Sequence, residues 1–180
     1  MHIAFLRNVM VGRAGLTRGV IVSAFLECGA SSAESFLATG NIVFESGLLG
    51  ADSVADCARA RLEDGYGLRE PIFVRSLEDL SAIQASAPFS TVTDDVHERT
   101  VTFFDKLERP LPARPVRSKR GDCEVFLLGE REAFGITWLL DRRTSNPGKL
   151  IEDLGLTQAT TRNWNTIERL LRRFGPHTST

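Results

Sequence analysis

The sequence lacks the short motifs by which the common enzyme classes are recognised. It has no Walker A phosphate loop, no dinucleotide-binding glycine motif, no HExxH, no GxSxG and no CxxC pair. Its three histidines are poorly placed for catalysis: His2 is terminal, His177 is near the other end, and His97 falls in a polar connector. The sequence therefore predicts no particular reaction and leaves open whether the protein is an enzyme.

Cysteine is scarce. Cys28, Cys57 and Cys123 are far apart, odd in number and not in any metal-ligand spacing. We therefore expect three reduced thiols, no metal and no cofactor. Cys28 and Cys57 both fall on apolar faces of predicted helices, where a thiol more often packs than reacts. Reduced thiols are typical of a cytoplasmic protein, and the cytoplasm is the predicted location.

There is no excess of charge of either sign. The 22 Lys and Arg residues nearly balance the 23 Asp and Glu residues, which gives a net charge of −1. Broad nucleic-acid binding usually needs a basic excess, so the charge balance disfavours it. The densest basic patch comprises Arg114, Arg117, Lys119 and Arg120. A basic loop of this kind is more often a solvated turn.

No apolar run approaches the length of a membrane span, and the N-terminus shows no signal-peptide pattern, so we expect no membrane contact. Hydrophobic residues make up 42% of the chain and charged residues 25%, which are ordinary globular values. At 180 residues the chain is long enough for one large domain or two small ones.

Apolar periodicity in the first half predicts alternating strands and helices. The predicted elements are, in order, a strand at residues 2–7, a helix with an apolar stripe at 21–28, strands at 35–38 and 41–45, a helix through 54–62, and a strand at 71–74. Strand, helix, two strands, helix, strand is the order of a ferredoxin-like unit. We therefore predict that residues 1–90 form a ferredoxin-like half with a connecting helix.

The second half is less regular. Three prolines, at 110, 112 and 115, exclude a central strand from that segment. The predicted elements are strands at residues 101–104, 116–118, 125–128 and 134–140 and a short helix at 148–154. We interpret residues 91–176 as a second, more diverged α+β half and residues 177–180 as a frayed tail. The predicted class is α+β, with two ferredoxin-like βαββαβ-type halves and largely antiparallel sheets.

The most informative stretch lies close to the C-terminus. Asn165 followed by Glu168 is an N-cap and N3 pair, which predicts a helix that begins at Thr166. Apolar residues at positions i, i+3, i+4 and i+7 predict the buried face of this helix, and two residues that commonly end helices follow it. The face comprises Ile167, Leu170, Leu171 and Phe174, and the stop signals are Gly175 and Pro176.

The polar residues ahead of this helix predict an anion-binding corner. Arg162 and Asn163 stand where unpaired backbone N–H groups and the positive end of the macrodipole are expected to face outward. Arg7, Asn41 and Lys149 are further polar residues that we expect to gather there. Capping or surface pairing is the commoner role for each residue alone. Together they predict a binding site for a small anionic, phosphate-bearing ligand.

Three segments of the chain resemble the domain-of-unknown-function family DUF1697. Arg7, Val11 and Gly12 fit the family's Arg-Gly-Ile-Asn-Val-Gly-Gly segment. Residues 40, 41, 43 and 44 fit its Tyr-Ile-Gln-Ser-Gly-Asn-Val-Val-Phe segment, and residues 161–166 fit its Thr-Arg-Asn-Trp-Asn-Thr segment without a change. The resemblance spans nearly the whole chain. It implies an α+β fold built from two ferredoxin-like halves, and no established activity comes with it.

The chain also departs from the family pattern. Asn8 and Met10 stand where the family has Gly and Asn, and Ala38 stands where it has Gln. Two polar side chains of a presumed shared site are therefore missing, at Met10 and Ala38. The resemblance implies that any ligand bound there is held differently by this chain, or is not bound.

Four functional hypotheses remain, in this order: binding of a small anionic ligand, RNA or single-stranded DNA binding on an open sheet face, an enzyme with unfamiliar motifs, and an interaction protein that forms a homodimer without a small ligand. The second needs aromatic side chains exposed on the strands. We instead expect the candidate aromatics to be in the core. They are Phe5, Phe36, Phe44, Phe103 and Phe104.

Overall fold

The computed structural model describes residues 1–9, 15–37, 40–110, 112 and 115–175. It confirms the predicted α+β class: the described residues form two antiparallel sheets and five helices. The chain divides into two compact units, Met1–Asp79 and Leu80–Thr180. The division expected after residue 90 stays a prediction. Met10, Ala38 and the predicted tail at 177–180 lie outside the described residues.

The first unit has the predicted order of strand, helix, two strands, helix and strand. Its elements are β1 (His2–Leu6), α1 (Arg18–Glu27), β2 (Ser32–Phe36), β3 (Asn41–Glu45), α2 (Ala51–Tyr66) and β4 (Ile72–Ser76). The strands form an antiparallel sheet in the order β2-β3-β1-β4. Helix α3 (Leu77–Ala85) follows β4 along the chain.

The core of the first unit lies between its sheet and its two long helices. Successive strand residues point to opposite faces, so alternate residues of each strand share this core. Ala4, Ile42 and Phe44 pack from the sheet, and Phe25 and Val54 pack from the helices.

The ends of the two helices are set by capping residues. Thr17 Oγ1 accepts a hydrogen bond from Val20 N at the start of α1, and α2 ends at Gly67 with φ of 69°.

The five phenylalanines expected in the core are buried. Phe5, Phe103 and Phe104 are wholly inaccessible, and Phe36 and Phe44 are at most 6% exposed. An aromatic side chain must be exposed for a nucleic-acid base to stack on it. These five side chains therefore offer no such stacking surface.

The described residues of the second unit form seven elements after α3. They are β5 (Glu98–Phe103), β6 (Val116–Arg117), β7 (Cys123–Leu128), β8 (Glu132–Thr137), α4 (Pro147–Asp153), β9 (Thr160–Asn163) and α5 (Trp164–Phe174). The strands form an antiparallel sheet in the order β6-β7-β8-β5-β9. Strand β9 was not predicted: Arg162 and Asn163 were expected only to lie directly ahead of the C-terminal helix. It pairs with β5, with Arg162 opposite Val101.

The expectation of three reduced thiols is wrong for two of the cysteines. Cys28 and Cys57 form a disulfide, whereas Cys123 is free and buried. Cys28 caps the C-terminus of α1 and Cys57 lies on α2, and these helices pack side by side with a Cα–Cα distance of 5.7 Å between the two residues. Cys57 is also exposed rather than on an apolar face. A spacing of 29 residues along the chain gives no sign of this proximity.

None of the helices in the described part of the chain combines the length and the apolar character needed to cross a membrane.

Candidate functional site

Helix α5 begins two residues earlier than the sequence suggested. Asn163 is its N-cap, since its Oδ1 accepts a hydrogen bond from Asn165 N at 3.0 Å, and the first helical residue is Trp164 rather than Thr166. Both asparagines can cap a helix, but the earlier start makes Trp164 part of the helix, where it is only 8% exposed. The predicted buried face is present at Ile167, Leu170 and Leu171, and Phe174 is half-buried.

Trp164 is held in a group of aromatic rings within the second unit. Its ring centroid lies 5.2 Å from that of Phe89 and 6.3 Å from that of Phe134. Phe89 also meets Phe126 and Phe134 edge to face, at 5.8 and 5.9 Å. Such tilted contacts are favourable beyond the area they bury. The cluster fixes the first turn of α5 against the segment around Phe89 and strand β8.

A groove of about 510 Å³ opens beside this aromatic cluster. Its walls come from the segment before β5, the start of β5 and the first turns of α5. The lining residues are Phe89, Asp94, His97, Glu98, Arg99, Asn163, Trp164, Asn165 and Glu168. The volume is in the range of small-molecule sites, which is roughly 300–1,000 Å³. Two aromatic rings and seven polar residues therefore share one concave surface.

Some polar groups of the groove are paired with one another. Arg99 forms an ion pair with Asp94 at 2.9 Å and donates to the backbone oxygen of Thr93 at 3.1 Å. Asn163 Nδ2 donates to Glu98 Oε1 at 3.2 Å, which ties the start of β5 to the start of α5. These contacts hold the two walls in position without using all the polar atoms.

Three lining side chains have no such partner. Within the described residues, the side chains of His97, Asn165 and Glu168 make no hydrogen bond or ion pair. His97 and Asn165 are exposed, and Glu168 is half-buried. They are accordingly available to a molecule that enters the groove.

The groove is more acidic than basic. Its three carboxylates and one guanidinium give a formal charge of −2 with His97 neutral. The guanidinium of the lining, on Arg99, pairs with Asp94. The carboxylates of Glu98 and Glu168 have no cationic partner among the described residues. No group of three or more His, Cys, Asp or Glu side chains in the described part of the chain could hold a metal ion.

Arg162 lies on strand β9 and is buried, whereas the sequence predicted that it faces outward at the start of the helix. It is 8% exposed, and its Nη1 donates to Thr160 Oγ1 at 2.8 Å and to the backbone oxygen of Thr161 at 3.0 Å. Burial lowers the pKa of its guanidinium to about 10, because the charged form is poorly solvated. It is next to Asn163 in the chain but does not line the groove.

Lys149 is an exposed residue of α4, where its Nζ pairs with Asp153 at 3.0 Å. Helix α4 meets β9 through Thr161, whose Oγ1 accepts a hydrogen bond from Gly148 N at 2.9 Å. Since neighbouring strand residues point to opposite faces, Arg162 points away from the α4 side. The structure therefore does not bring Lys149 and Arg162 to one place.

Arg7 and Asn41 belong to the first unit and lie at the same end of its sheet. Arg7 forms an ion pair with Glu70. Asn41 is fully buried, and its Nδ2 donates to the backbone oxygen of Phe36 at 3.1 Å, which links the start of β3 to the end of β2. Both side chains thus have contacts inside the first unit. A corner that also includes residues of the second unit stays a prediction.

The basic patch noted in the sequence is partly neutralised. Arg117 pairs with Glu124 at 2.6 Å across β6 and β7, and Arg120 approaches Asp122 to 3.3 Å. Arg114 lies outside the described residues.

Most of the groove was missed from the sequence. His97 was interpreted as a solvated connector residue and Glu168 as the capping partner of Asn165. They line the same groove because β9 pairs with β5, which brings the start of α5 next to residues some sixty positions earlier in the chain. In the sequence, His97 and Glu98 are adjacent and lie shortly before the strand predicted at residues 101–104.

Comparison with known proteins gives a family and a fold. The model of a family described as "Protein of unknown function (DUF1697)" matches residues 1–134. No curated protein matches the chain. The solved structure of the conserved bacterial protein SP0830 from Streptococcus pneumoniae is similar over 97% of this chain and 98% of that chain, with a TM-score of 0.67 and 14% identity. At this identity the likeness concerns the fold alone.

Proposed function

The chain belongs to the DUF1697 family of proteins of unknown function, and we propose that it binds a small molecule in the groove between the start of β5 and the start of α5. One observation carries the proposal: His97, Asn165 and Glu168, whose side chains have no partner among the described residues, line the same groove beside Phe89 and Trp164. Small-molecule sites typically combine an apolar surface with a few convergent polar groups of this kind.

The charges favour a ligand that carries an amino or guanidino group. Glu98 and Glu168 are half-buried carboxylates, and their negative potential attracts a cation. Hydrogen bonds between such a cation and a carboxylate are stronger than neutral ones. The apolar part of the ligand would contact the half-buried side chain of Phe89. Because the groove is open to solvent, salt screens the attraction, and we expect affinity to fall as ionic strength rises.

The small anionic, phosphate-bearing ligand predicted from the sequence is the second candidate. The first turn of α5 and the side chains of Arg99 and Asn165 line the groove, and all of these can donate hydrogen bonds to an anion. The carboxylates of Glu98 and Glu168 in the same groove disfavour it. RNA or single-stranded nucleic-acid binding and a homodimer without a small ligand stay predictions.

A thermal-shift screen with matched variants tests the proposal. The panel contains putrescine, agmatine and arginine methyl ester as amines, together with inorganic phosphate, nucleotides and short oligonucleotides. A ligand at a hundredfold excess over its dissociation constant stabilises the folded protein by about 2.7 kcal/mol. We expect an amine to raise the melting midpoint of the wild type and of the control Glu130→Gln, which changes an exposed carboxylate outside the groove, but not of Glu168→Gln.

The other outcomes decide against the amine. A shift with phosphates or nucleotides that persists in Glu168→Gln would favour the anionic ligand. A shift with oligonucleotides alone would favour nucleic-acid binding. The absence of any shift in folded protein would contradict a small-molecule site in this groove.

Two finer structural interpretations are also proposals. The element order and the strand order β2-β3-β1-β4 support a ferredoxin-like first unit. The second unit has five strands in a different order, so a second ferredoxin-like half stays a prediction. The cytoplasmic location likewise stays a prediction.

A further inference from the structure

We propose that the Cys28–Cys57 disulfide is a site of reversible thiol–disulfide exchange, at which an external thiol attacks the sulfur of Cys57. The two cysteines differ in access. Cys57 is an exposed residue of α2, whereas Cys28 is 5% exposed at the C-terminal cap of α1. Which sulfur of a disulfide an external thiolate attacks depends on how accessible each sulfur is, so the sulfur of the exposed Cys57 is the expected target.

The exchange proceeds in two balanced steps. The thiolate of the external thiol forms a bond with Cys57 Sγ, and the electron pair of the broken S–S bond leaves on Cys28 Sγ, which takes a proton from water. A second external thiolate then attacks the external sulfur of this mixed disulfide and releases the Cys57 thiolate. The protein gains two thiols, and two external thiols become one external disulfide. The reductant is therefore a low-molecular-weight thiol, and the reverse sequence reoxidises the pair.

The surface around the disulfide favours a thiol that carries charges of both signs. Arg61 is four residues after Cys57 on α2 and lies on the same helix face, while Glu27 directly precedes Cys28. Arg61 and Glu27 pair at 2.7 Å, and both side chains remain more than half exposed. They also line a groove of about 470 Å³ between α1 and α2. A peptide thiol such as glutathione, with an ammonium group and two carboxylates, can pair with either residue.

The first unit does not depend on the disulfide to hold these helices. Ile21 and Phe25 from α1 and Val54 and Leu62 from α2 are each at most 1% exposed and share one core with the sheet. Burial of apolar side chains is the main stabilising contribution to folding, so these four side chains anchor the helices independently of the bond. We therefore expect reduction to occur in the folded protein.

The first measurement identifies which cysteine forms the mixed disulfide. Native protein is treated with reduced glutathione, quenched with acid, and mapped by mass spectrometry of peptides. We expect the mixed disulfide on Cys57. In Cys28→Ser, oxidised glutathione should modify Cys57 under native conditions, whereas in Cys57→Ser it should leave Cys28 unmodified until urea is added. Cys123, which is buried, is the internal control in each sample.

A second measurement uses the unmutated chain, so it does not depend on how the variants fold. The rate of disulfide reduction by dithiothreitol is compared with the rate of global unfolding under the same conditions. We expect reduction to be faster than unfolding and proportional to the dithiothreitol concentration. A mixed disulfide on Cys28, equal modification of both cysteines, or reduction limited by unfolding would each overturn the proposal.

Discussion

The disulfide gives a stability prediction whose size follows from the structure. Replacing Cys57 with serine removes the cross-link at an exposed position, so little else is changed, and the partner thiol of Cys28 stays buried. The bond closes a loop with a sequence separation of 29 residues. The chain-entropy relation for a loop of this length gives about 12 cal/mol/K, or about 3.6 kcal/mol at 25 °C.

Urea unfolding followed by far-UV circular dichroism measures this loss. With a slope of about 2 kcal/mol per molar urea, the midpoint of the variant should fall by about 1.8 M. Dithiothreitol should lower the midpoint of the wild type by a similar amount and leave that of Cys57→Ser unchanged. A loss in free energy of unfolding below about 1 kcal/mol, or a further effect of dithiothreitol on the variant, would refute the reasoning.

Three further predictions concern single residues. Asn163→Ala should lower the free energy of unfolding by about 1 kcal/mol in urea denaturation, because it removes the cap of α5, and an unchanged midpoint would contradict that role. Cys123 should not react with a thiol reagent at pH 8 until the protein is unfolded, since burial raises the pKa of its thiol to about 12. Hydrogen bonds from Ser145 and Ser118 lower the pKa of Asp122, so this carboxylate stabilises the fold above its unfolded pKa of 3.8 and the contribution is lost as pH falls through its folded value. Asp122→Asn should therefore reduce stability at pH 7 more than at pH 2, and an equal loss at both values would contradict this.

The first unit could be predicted largely from its sequence because its signals are local. The apolar residues of α1 and of β1 extend over enough positions to indicate a helix and a strand, and the glycine after α2 indicates where that helix ends. The element bounds then differ from the prediction by only a few residues. The order of the elements follows directly from these local patterns.

The second unit and the groove depend on pairings that no local pattern shows. Strand β9 has only four residues, too few to show an alternation, and its partner β5 lies some sixty residues earlier. Asn163 and Asn165 are both good caps two positions apart, so sequence alone could not decide between them. The position of His97 opposite α5 follows from the same long-range pairing, and so was not predictable.

The central claim is that a small cationic ligand binds in the groove of the second unit. The most direct measurement is a titration of isotopically labelled protein with agmatine, followed by the backbone amide signals in NMR. The account predicts saturable shifts concentrated in residues 94–99 and 163–168, with these shifts absent in Glu168→Gln and retained in Glu130→Gln. Shifts confined to other segments, or none at agmatine concentrations up to tens of millimolar, would contradict it.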